Sequence, residues 1–264
     1  MSLTFRRRLA AAAVLTVTVL AAGCNSGSDS GSGGTTQSAT GIWSGTDSTS
    51  GLSVTALINS AGNATFIRSD GVQFTGAVQV SGSTLAASVD GYPDFSATFS
   101  DGSDYGIGTL SGTVSTGGTL TATLTFTTNG NTSITGNWSL TYESLSDTPS
   151  SVGAMSGDYS DSVTGTTYSF STSGAISGTN TSNGCSLSGS VSTADTTHNL
   201  YEVAYEYSGC TGTYQSLNGV RLTGLATINS TLSPVQILLV VTGSSTSSST
   251  TRYYGLVTSL AATS

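Results

Sequence analysis

The sequence predicts an all-β protein that consists of two tandem antiparallel up-and-down barrels of about eight strands each. Apolar and polar residues alternate with a period of two, most clearly in LTATLTF from Leu120 to Phe126 and in YEVAYEY from Tyr201 to Tyr207. Turn signals such as SDG, STGG and TNGN recur about every 8 to 12 residues. Similar segments also recur about 112 to 116 residues apart, which indicates an internal repeat. A pair of β-sandwiches is the alternative architecture.

The first 23 residues have the layout of a secretory signal peptide. Arg6, Arg7 and Arg8 form a positively charged start, and Leu9 to Ala22 is a mostly apolar stretch of 14 residues. A transmembrane helix needs about 20 apolar residues, so a spanning segment is the poorer interpretation. The three arginines also permit export by the twin-arginine route as a minor alternative.

The stretch LAAGC, which ends at Cys24, resembles the lipobox of bacterial lipoproteins. The resemblance implies that the signal peptide, residues 1–23, is cut off and that Cys24 becomes a lipidated N-terminus that anchors the protein in a membrane. The leucine stands at Leu20, one place earlier than in the commonest form of the lipobox. Asn25 follows Cys24, at the position where an aspartate would resemble an inner-membrane retention signal. Because that aspartate is absent, the resemblance implies the outer membrane, on its periplasmic face or at the cell surface. Ordinary secretion with a leftover thiol is the alternative.

Composition divides the rest of the chain into a tether, two domains and a linker. Residues 24–40 are rich in glycine and serine, which is typical of a flexible tether. Residues 41–145 and 154–262 form the two predicted β domains, and the second repeats the first. Residues 146–153, with the sequence SDTPSSVG, are the predicted linker.

Four pairs of segments define the repeat. GIWSG at Gly41 corresponds to GDYSD at Gly157, and SDGVQFTGAVQV corresponds to SNGCSLSGSVST, which places Gly76 opposite Gly189. GTLSGTV corresponds to NGVRLTGLATI, and each is followed by an apolar strand. NWSLTYESL near the end of the first domain corresponds to RYYGLVTSL near the end of the second. Closure of each domain into a barrel leaves no exposed sheet edge.

The charge of the chain argues against two classes of partner. The sequence has no lysine. After cleavage Arg68, Arg221 and Arg252 stand against fourteen acidic residues, a formal charge of about −11. A protein this acidic has little to neutralise phosphates with, so no nucleic-acid partner is predicted, and no electrostatic attraction to anionic lipid is expected.

Two cysteines remain once Cys24 is assigned to the lipid. An exported chain is oxidised, so Cys185 and Cys210 are predicted to form a disulfide. It closes a loop of about 25 residues and contributes roughly 3 kcal/mol of stability. Two buried thiols or a metal pair are the alternatives, with His198 as the single histidine of the sequence.

The sequence predicts no catalytic residue, no metal site and no cofactor. His198 lies in the polar turn ADTTHN and is interpreted as a solvated loop residue. Glu202 and Glu206 lie on one face of a predicted strand about 13 Å apart, whereas a glycosidase pair is about 5 to 9 Å apart. We therefore expect both glutamates to face solvent, with the neighbouring tyrosines packed inward.

Four aspartates surround two turns of the first domain: Asp90 and Asp94 flank GYP, and Asp101 and Asp104 flank GS. Carboxylates at such spacings can bind calcium. The intervening segment FSATFS, if extended, holds the two pairs about 20 Å apart, so they do not share one site. Turn formation explains these aspartates without a metal.

The opening GIW, from Gly41 to Trp43, resembles the Gly-x-Trp start of lipocalins. The resemblance covers three residues and implies a barrel that Trp43 closes at its base and that holds a small apolar ligand. In the second domain Tyr201, Tyr205 and Tyr207 are the candidate ligand-binding residues, because tyrosine combines an apolar ring with a polar tip. Filling of the barrel interior is the alternative role for all four aromatic residues.

These observations together predict a non-catalytic outer-membrane lipoprotein with two β-barrel binding modules. The expected partner is a small apolar ligand, a lipid or an envelope protein. A surface-exposed structural or adhesive lipoprotein that meets a host or a matrix is the alternative, and an envelope hydrolase is the third hypothesis.

Overall fold

The computed structural model describes residues 36–95, 97–247 and 249–263. Within these residues the chain forms two closed antiparallel barrels of eight strands each, connected in up-and-down order. The predicted fold class is confirmed, and barrels are found in place of the alternative sandwiches. The predicted signal peptide, Cys24 and most of the predicted tether lie outside the described residues.

Barrel 1 contains strands β1 to β8, and barrel 2 contains strands β9 to β16. The strands of barrel 1 are β1 Gly41–Asp47, β2 Ser53–Ile58, β3 Asn63–Arg68, β4 Gln73–Ser81, β5 Thr84–Tyr92, β6 Gly106–Val114, β7 Thr119–Thr128 and β8 Ser133–Tyr142. The strands of barrel 2 are β9 Gly157–Ser160, β10 Thr167–Phe170, β11 Ala175–Asn180, β12 Cys185–Thr193, β13 Tyr201–Ser208, β14 Arg221–Asn229, β15 Gln236–Ser247 and β16 Thr250–Ala262. Short 3₁₀ helices span Ser144–Asp147, Val152–Met155 and Gly212–Leu217. No helix in this part of the chain is long and apolar enough to cross a membrane.

The alternation of apolar and polar residues builds the wall of each barrel. In β7 Leu120, Leu124 and Phe126 are buried, whereas the threonines between them are exposed. Successive side chains of a strand point to opposite faces, so one face fills the barrel and the other meets solvent. Each fully buried leucine or phenylalanine stabilises the fold by roughly 1.5 to 3 kcal/mol. The same alternation in β13 leaves Glu202 and Glu206 exposed, as predicted.

An aspartate lies at the end of the first strand of each barrel, as the last residue of β1 and as the residue directly after β9. The Asp47 carboxylate accepts a hydrogen bond from the Thr49 backbone N–H at 2.9 Å. The Asp161 carboxylate accepts one from the Val163 backbone N–H at 2.8 Å. Aspartate favours such turns because its side chain bonds the backbone two residues further on. The matching turns agree with the predicted repeat.

The strand registers match the two barrels position by position. Gly76 in β4 and Gly189 in β12 both pair with the inward residue of the next strand, as the repeat predicts. The same comparison, continued from strand to strand around each barrel, makes Trp43 in β1 the counterpart of Tyr159 in β9. The sequence repeat matches the same two residues.

The predicted match of the last strands is wrong. The correspondence of NWSLTYESL with RYYGLVTSL makes Tyr253 in barrel 2 the counterpart of Trp138 in barrel 1. The strand registers instead make Thr258 the counterpart of Trp138, five residues after Tyr253. An odd shift exchanges the inward and outward faces of a strand. Tyr253 accordingly faces outward, where its ring stacks on that of Tyr105 with centroids 4.0 Å apart.

Cys185 and Cys210 form the predicted disulfide. Cys185 begins β12 and Cys210 follows β13, so the bond links two adjacent strands at one end of barrel 2. This end also holds the turns of residues 161–166 and 181–184 and the loop of residues 209–220. We call it the disulfide end of barrel 2.

The two barrels pack against each other through apolar side chains on their outer faces. Barrel 1 contributes Ile42, Leu57 and Ile67, and barrel 2 contributes Leu200, Leu225 and Val240. The predicted linker is fixed at this interface, because Ser146 is buried and its hydroxyl accepts a hydrogen bond from the Ile42 backbone N–H at 2.6 Å. Burial of apolar surface between the barrels holds them in one arrangement.

The last residues of the predicted tether, 36–40, pack against barrel 1. The Trp43 indole N–H donates to the Ala39 carbonyl at 2.8 Å, and the Gln37 backbone N–H donates to the Gly82 carbonyl at 2.8 Å. Ala39 joins the apolar core of barrel 1 through this contact. The folded body therefore begins before the first strand.

Candidate functional site

Large aromatic side chains fill the interior of barrel 1. Trp138 contacts Phe66 and Phe74 with ring centroids 5.2 and 5.8 Å apart, and Phe74 contacts Phe126 at 5.2 Å. All four side chains are buried. Interiors packed in this way hold few voids larger than a water molecule.

Barrel 2 contains a cavity of about 630 Å³ at its disulfide end. Ligand pockets in proteins are typically about 300 to 1,000 Å³. Apolar walls come from Leu222 and Leu256, and polar groups come from Thr166 and Asn180. The Cys185 end of the disulfide also lines the cavity.

Small residues in barrel 2 replace aromatic residues of barrel 1 at several inward positions, and one of them, Thr258, lines the cavity. The register identifies four such pairs, each with an aromatic residue in barrel 1 and a smaller residue in barrel 2. They are Phe66 and Gly178, Phe74 and Leu187, Phe126 and Gly243, and Trp138 and Thr258. Large-to-small replacement leaves space when the surrounding backbone keeps its place.

The pairing between the first and last strands closes each barrel, and we call it the seam. The seam of barrel 2 is shorter than that of barrel 1. In barrel 1, β1 pairs with β8 along Trp43–Asp47. In barrel 2, β9 pairs with β16 at Tyr159 and Ser160, and Asp161 then turns the chain away. GDYSD is two residues shorter than GIWSGTD, so the residues between Ser44 and Asp47 have no counterpart. The edge of β16 before Leu260 is therefore left without a strand partner in the described chain.

The loop after β5 of barrel 1 enters this gap. Asp94 forms an isolated parallel bridge with Gly255 of β16. The next residue, Phe95, places its ring between those of Tyr214 and Tyr254, with centroid distances of 5.4 and 6.2 Å and interplanar angles of 17° and 23°. Asp94, Phe95, Tyr214 and Tyr254 all line the cavity. Barrel 1 thus supplies part of the wall of the cavity in barrel 2.

Two carboxylates line the cavity, those of Asp94 and Asp161. The Oδ1 atom of Asp94 is buried and has no hydrogen-bond partner among the described residues. Burial raises the pKa of the Asp94 carboxyl, the backbone N–H groups of Phe95 and Val257 lower it, and the Asp161 carboxylate adds to the rise. Asp161 accepts a hydrogen bond from the Thr164 hydroxyl at 2.6 Å. Asp94 is therefore a half-buried carboxylate with one buried oxygen that no described group stabilises.

Thr258 brings a buried hydroxyl to the same cavity. It is 2% exposed and lies among the inward residues of β16, between Leu256 and Leu260. Its Oγ1 has no hydrogen-bond partner in the described part of the chain. A buried hydroxyl without a partner destabilises a protein by about 1 to 3 kcal/mol, so such groups are rare.

The three candidate tyrosines occupy different places. Tyr207 lines the cavity, as does Tyr168, which the sequence analysis missed although it alternates with Phe170 in TTYSF. Tyr205 is buried beside them, with ring centroids 5.5 Å from Tyr207 and 6.4 Å from Tyr168. Burial raises the pKa of all three hydroxyls, so they are neutral at physiological pH.

Tyr201 lies near the other end of barrel 2 and does not line the cavity. Its hydroxyl accepts a hydrogen bond from the Ser151 backbone N–H at 3.3 Å, so it fixes the segment that links the barrels. Tyr201 and Tyr205 are buried in the barrel interior, so they have the alternative role predicted for these residues, which is to fill the barrel.

The predicted turn aspartates have different roles. Asp101 accepts a hydrogen bond from the Ser103 hydroxyl at 2.6 Å, as expected in a turn. Asp104 accepts one from the Tyr253 backbone N–H of barrel 2 at 3.1 Å, and Asp94 reaches the cavity. Turn formation alone is therefore the wrong interpretation of Asp94 and Asp104. No group of three His, Cys, Asp or Glu in the described residues could hold a metal ion.

His198 lies in the loop before β13 and outside the cavity lining. Its Nδ1 is 3.1 Å from the Asp195 carboxylate and 3.0 Å from the Thr197 hydroxyl. These contacts lie within a single turn and agree with its interpretation as a loop residue.

Comparisons with known proteins found no match to a family model, a curated protein or a solved structure. The lipobox and lipocalin resemblances therefore stay predictions. The site is interpreted from its own geometry: a partly enclosed cavity, aromatic walls, two carboxylates and buried hydroxyls. Such an arrangement can hold a small molecule by ring contacts and hydrogen bonds.

Proposed function

We propose that the protein is a non-catalytic outer-membrane lipoprotein whose second barrel binds a small amphipathic ligand. The observation that carries the proposal is the cavity of about 630 Å³ in barrel 2, which holds buried polar atoms without partners among the described residues. Unsatisfied buried groups destabilise a fold, and a ligand that supplies the missing hydrogen bonds removes that penalty. The apolar and aromatic walls supply contact area for the rest of such a ligand.

In this proposal barrel 1 is a supporting body and not a second binding module. Its interior is occupied by Trp138 and its aromatic neighbours. Its contribution to binding is the loop that presents Asp94 and Phe95 to barrel 2. The apolar interface between the barrels supports this role, because it fixes the loop relative to the cavity.

The test is to identify what the exported protein carries. The mature protein is purified from membranes, extracted with organic solvent and compared by mass spectrometry with two variants. Thr258→Trp places in the cavity the residue that barrel 1 has at the matched position. Thr125→Trp places the same ring on the exposed outer face of barrel 1 and serves as the control.

We expect a near-stoichiometric small molecule from the wild-type protein and from Thr125→Trp, and none from Thr258→Trp. Extracts that are empty for all three proteins, or a molecule retained by Thr258→Trp, would contradict ligand binding in barrel 2.

Membrane anchoring is tested separately by Cys24→Ser. We expect this change to release the protein from the membrane fraction, because the acyl chains provide the attachment. Continued attachment would mean that the N-terminus anchors the chain in another way.

A further inference from the structure

We infer that the ligand of barrel 2 is an organic cation, with a primary ammonium group on an apolar or aromatic body; this inference rests on the proposed function. The first argument is charge. Asp94 and Asp161 both line the cavity, and none of the described lining residues is lysine, arginine or histidine. The two carboxylates attract a cation and repel an anion, and partial exclusion of water from the cavity strengthens both effects.

The second argument is that two buried oxygen atoms of the cavity lining have no hydrogen-bond donor among the described residues. Asp94 Oδ1 and Thr258 Oγ1 are buried, belong to cavity-lining residues and have no partner among the described residues. Thr258 is 2% exposed and lies on the inward face of β16. An ammonium group has three donors and no acceptor, so it can donate to oxygens of this kind and leaves no acceptor of its own unpaired.

The position of Asp94 supports the same ligand. The Asp94 backbone bridges to Gly255, and the carboxylate faces the Val257 backbone N–H, which is adjacent to Thr258. The gap in the seam of barrel 2 is what admits this loop. Asp94 of barrel 1 and Thr258 of barrel 2 thus line the same cavity, and a half-buried carboxylate gains stability from a cation.

The third argument is the surrounding aromatic rings. Phe95, Tyr214 and Tyr254 form a stacked group in the cavity wall, and Tyr168 and Tyr207 line it from other strands. Aromatic faces attract cations and pack against apolar groups. The same wall therefore suits both parts of an amphipathic cation.

Three probes of one shape separate charge from size: 2-phenylethylammonium, 2-phenylethanol and 3-phenylpropionate. Binding to the mature protein in non-ionic detergent is measured by isothermal titration calorimetry. We expect the ammonium probe to bind about tenfold or more tightly than the alcohol, and the carboxylate probe to bind weakest. Asp94→Asn is expected to reduce the affinity for the ammonium probe about tenfold and to change the affinity for the alcohol less than about twofold.

Two further variants separate binding from folding. Thr258→Val keeps the shape of the side chain and removes its hydroxyl, so the ammonium affinity should fall about threefold or more. Glu206→Gln removes one negative charge from the outer face of barrel 2 and should leave all affinities unchanged. The unfolding temperature of Asp94→Asn without ligand should equal or exceed that of the wild type, because the change removes a partly desolvated charge.

Equal binding of the alcohol and the ammonium probe would overturn the inference of a cation and leave the proposed function standing. Absence of ammonium binding at about 10 mM, a concentration above a millimolar dissociation constant, would also overturn it. Failure of the proposed function is recognised separately, by solvent extracts of the wild-type protein that contain no ligand.

Discussion

Barrel 1 and barrel 2 have the same strand order and matching registers, yet their interiors differ. Trp138 and its aromatic neighbours fill barrel 1, whereas barrel 2 has Thr258 at the position matched to Trp138 and a cavity of about 630 Å³ beside it. The backbone pattern that closes a barrel is thus independent of what fills it. The inward residues, together with the loop that barrel 1 adds to the wall of barrel 2, decide whether the interior is a core or a site.

The aromatic residues also differ in type and place. Three inward positions that hold small residues in barrel 1 hold tyrosine in barrel 2. They are Ala56 and Tyr168, Val89 and Tyr205, and Gly91 and Tyr207. The tyrosines recover part of the lost volume and bring hydroxyl groups into the interior. A repeated domain has in this way exchanged apolar packing for a polar cavity.

The largest expected effect comes from making barrel 1 resemble barrel 2. Trp138→Thr removes the ring that contacts Phe66 and Phe74, and it should lower the free energy of unfolding by about 3 to 5 kcal/mol. Urea denaturation followed by circular dichroism measures the change. The reciprocal Thr258→Trp, which places a ring in an existing cavity, should cost less than half as much. A loss below about 1 kcal/mol for Trp138→Thr would show that barrel 1 tolerates a hollow interior.

The disulfide gives the next largest effect and applies to barrel 2. Replacement of both Cys185 and Cys210 by serine should lower the free energy of unfolding by about 3 kcal/mol, because the bond closes a loop of 25 residues. Guanidinium denaturation with and without reductant measures it. Reductant should destabilise the wild type and leave the double-serine variant unchanged. A wild-type protein that is indifferent to reductant would contradict this account.

Phe95 sharpens the comparison because it belongs to barrel 1 and packs in barrel 2. Phe95→Ala removes the ring between Tyr214 and Tyr254 and should lower the free energy of unfolding by about 2 kcal/mol. Thermal unfolding gives the stability, and near-ultraviolet circular dichroism reports on the two tyrosines. Phe95→Leu is the control and should lose less than half as much. No change in the tyrosine signal would show that the ring is not seated there.

The smallest expected effect is the alkaline response of the junction between the barrels, where the ring of Tyr92 lies 6.3 Å from that of Tyr253. Burial raises the pKa of Tyr92 to about 12 from an ordinary value of 10.0. Below pH 10 the hydroxyl is protonated in both states. Above pH 10 the unfolded chain loses the proton first, so the free energy of unfolding falls until the pH passes about 12. Unfolding temperatures measured between these limits should fall less steeply for Tyr92→Phe than for the wild type.

The barrels and the disulfide follow from local features of the sequence. Alternation in LTATLTF and YEVAYEY fixes which residues point inward, and an exported chain with two remaining cysteines favours one bond. The repeat could be read from the first and fourth strands of each barrel, where glycines and turns coincide. These signals need no knowledge of how distant strands align. In the sixth strands the register makes Leu222 the counterpart of Gly108, so the predicted match of GTLSGTV with NGVRLTGLATI is wrong by two residues.

The cavity depends on alignments that the sequence leaves open. The match of Trp138 with Thr258 requires the register of the last strand, which similarity of sequence placed five residues away. The entry of Asp94 follows from the two residues that GDYSD lacks relative to GIWSGTD. That difference was visible in the sequence. Its consequence, a gap filled by a loop of the other barrel, requires the packing of the two barrels.

The most direct test of the account is a crystal structure of the mature protein with 2-phenylethylammonium. We predict one probe in barrel 2, with its ring against Phe95 and Tyr254 and its ammonium group within hydrogen-bond distance of Asp94 and Thr258, and no probe in the interior of barrel 1. A cavity in barrel 2 that holds ordered water alone at saturating probe would contradict the central claim that the replacement of aromatic residues has created a ligand site.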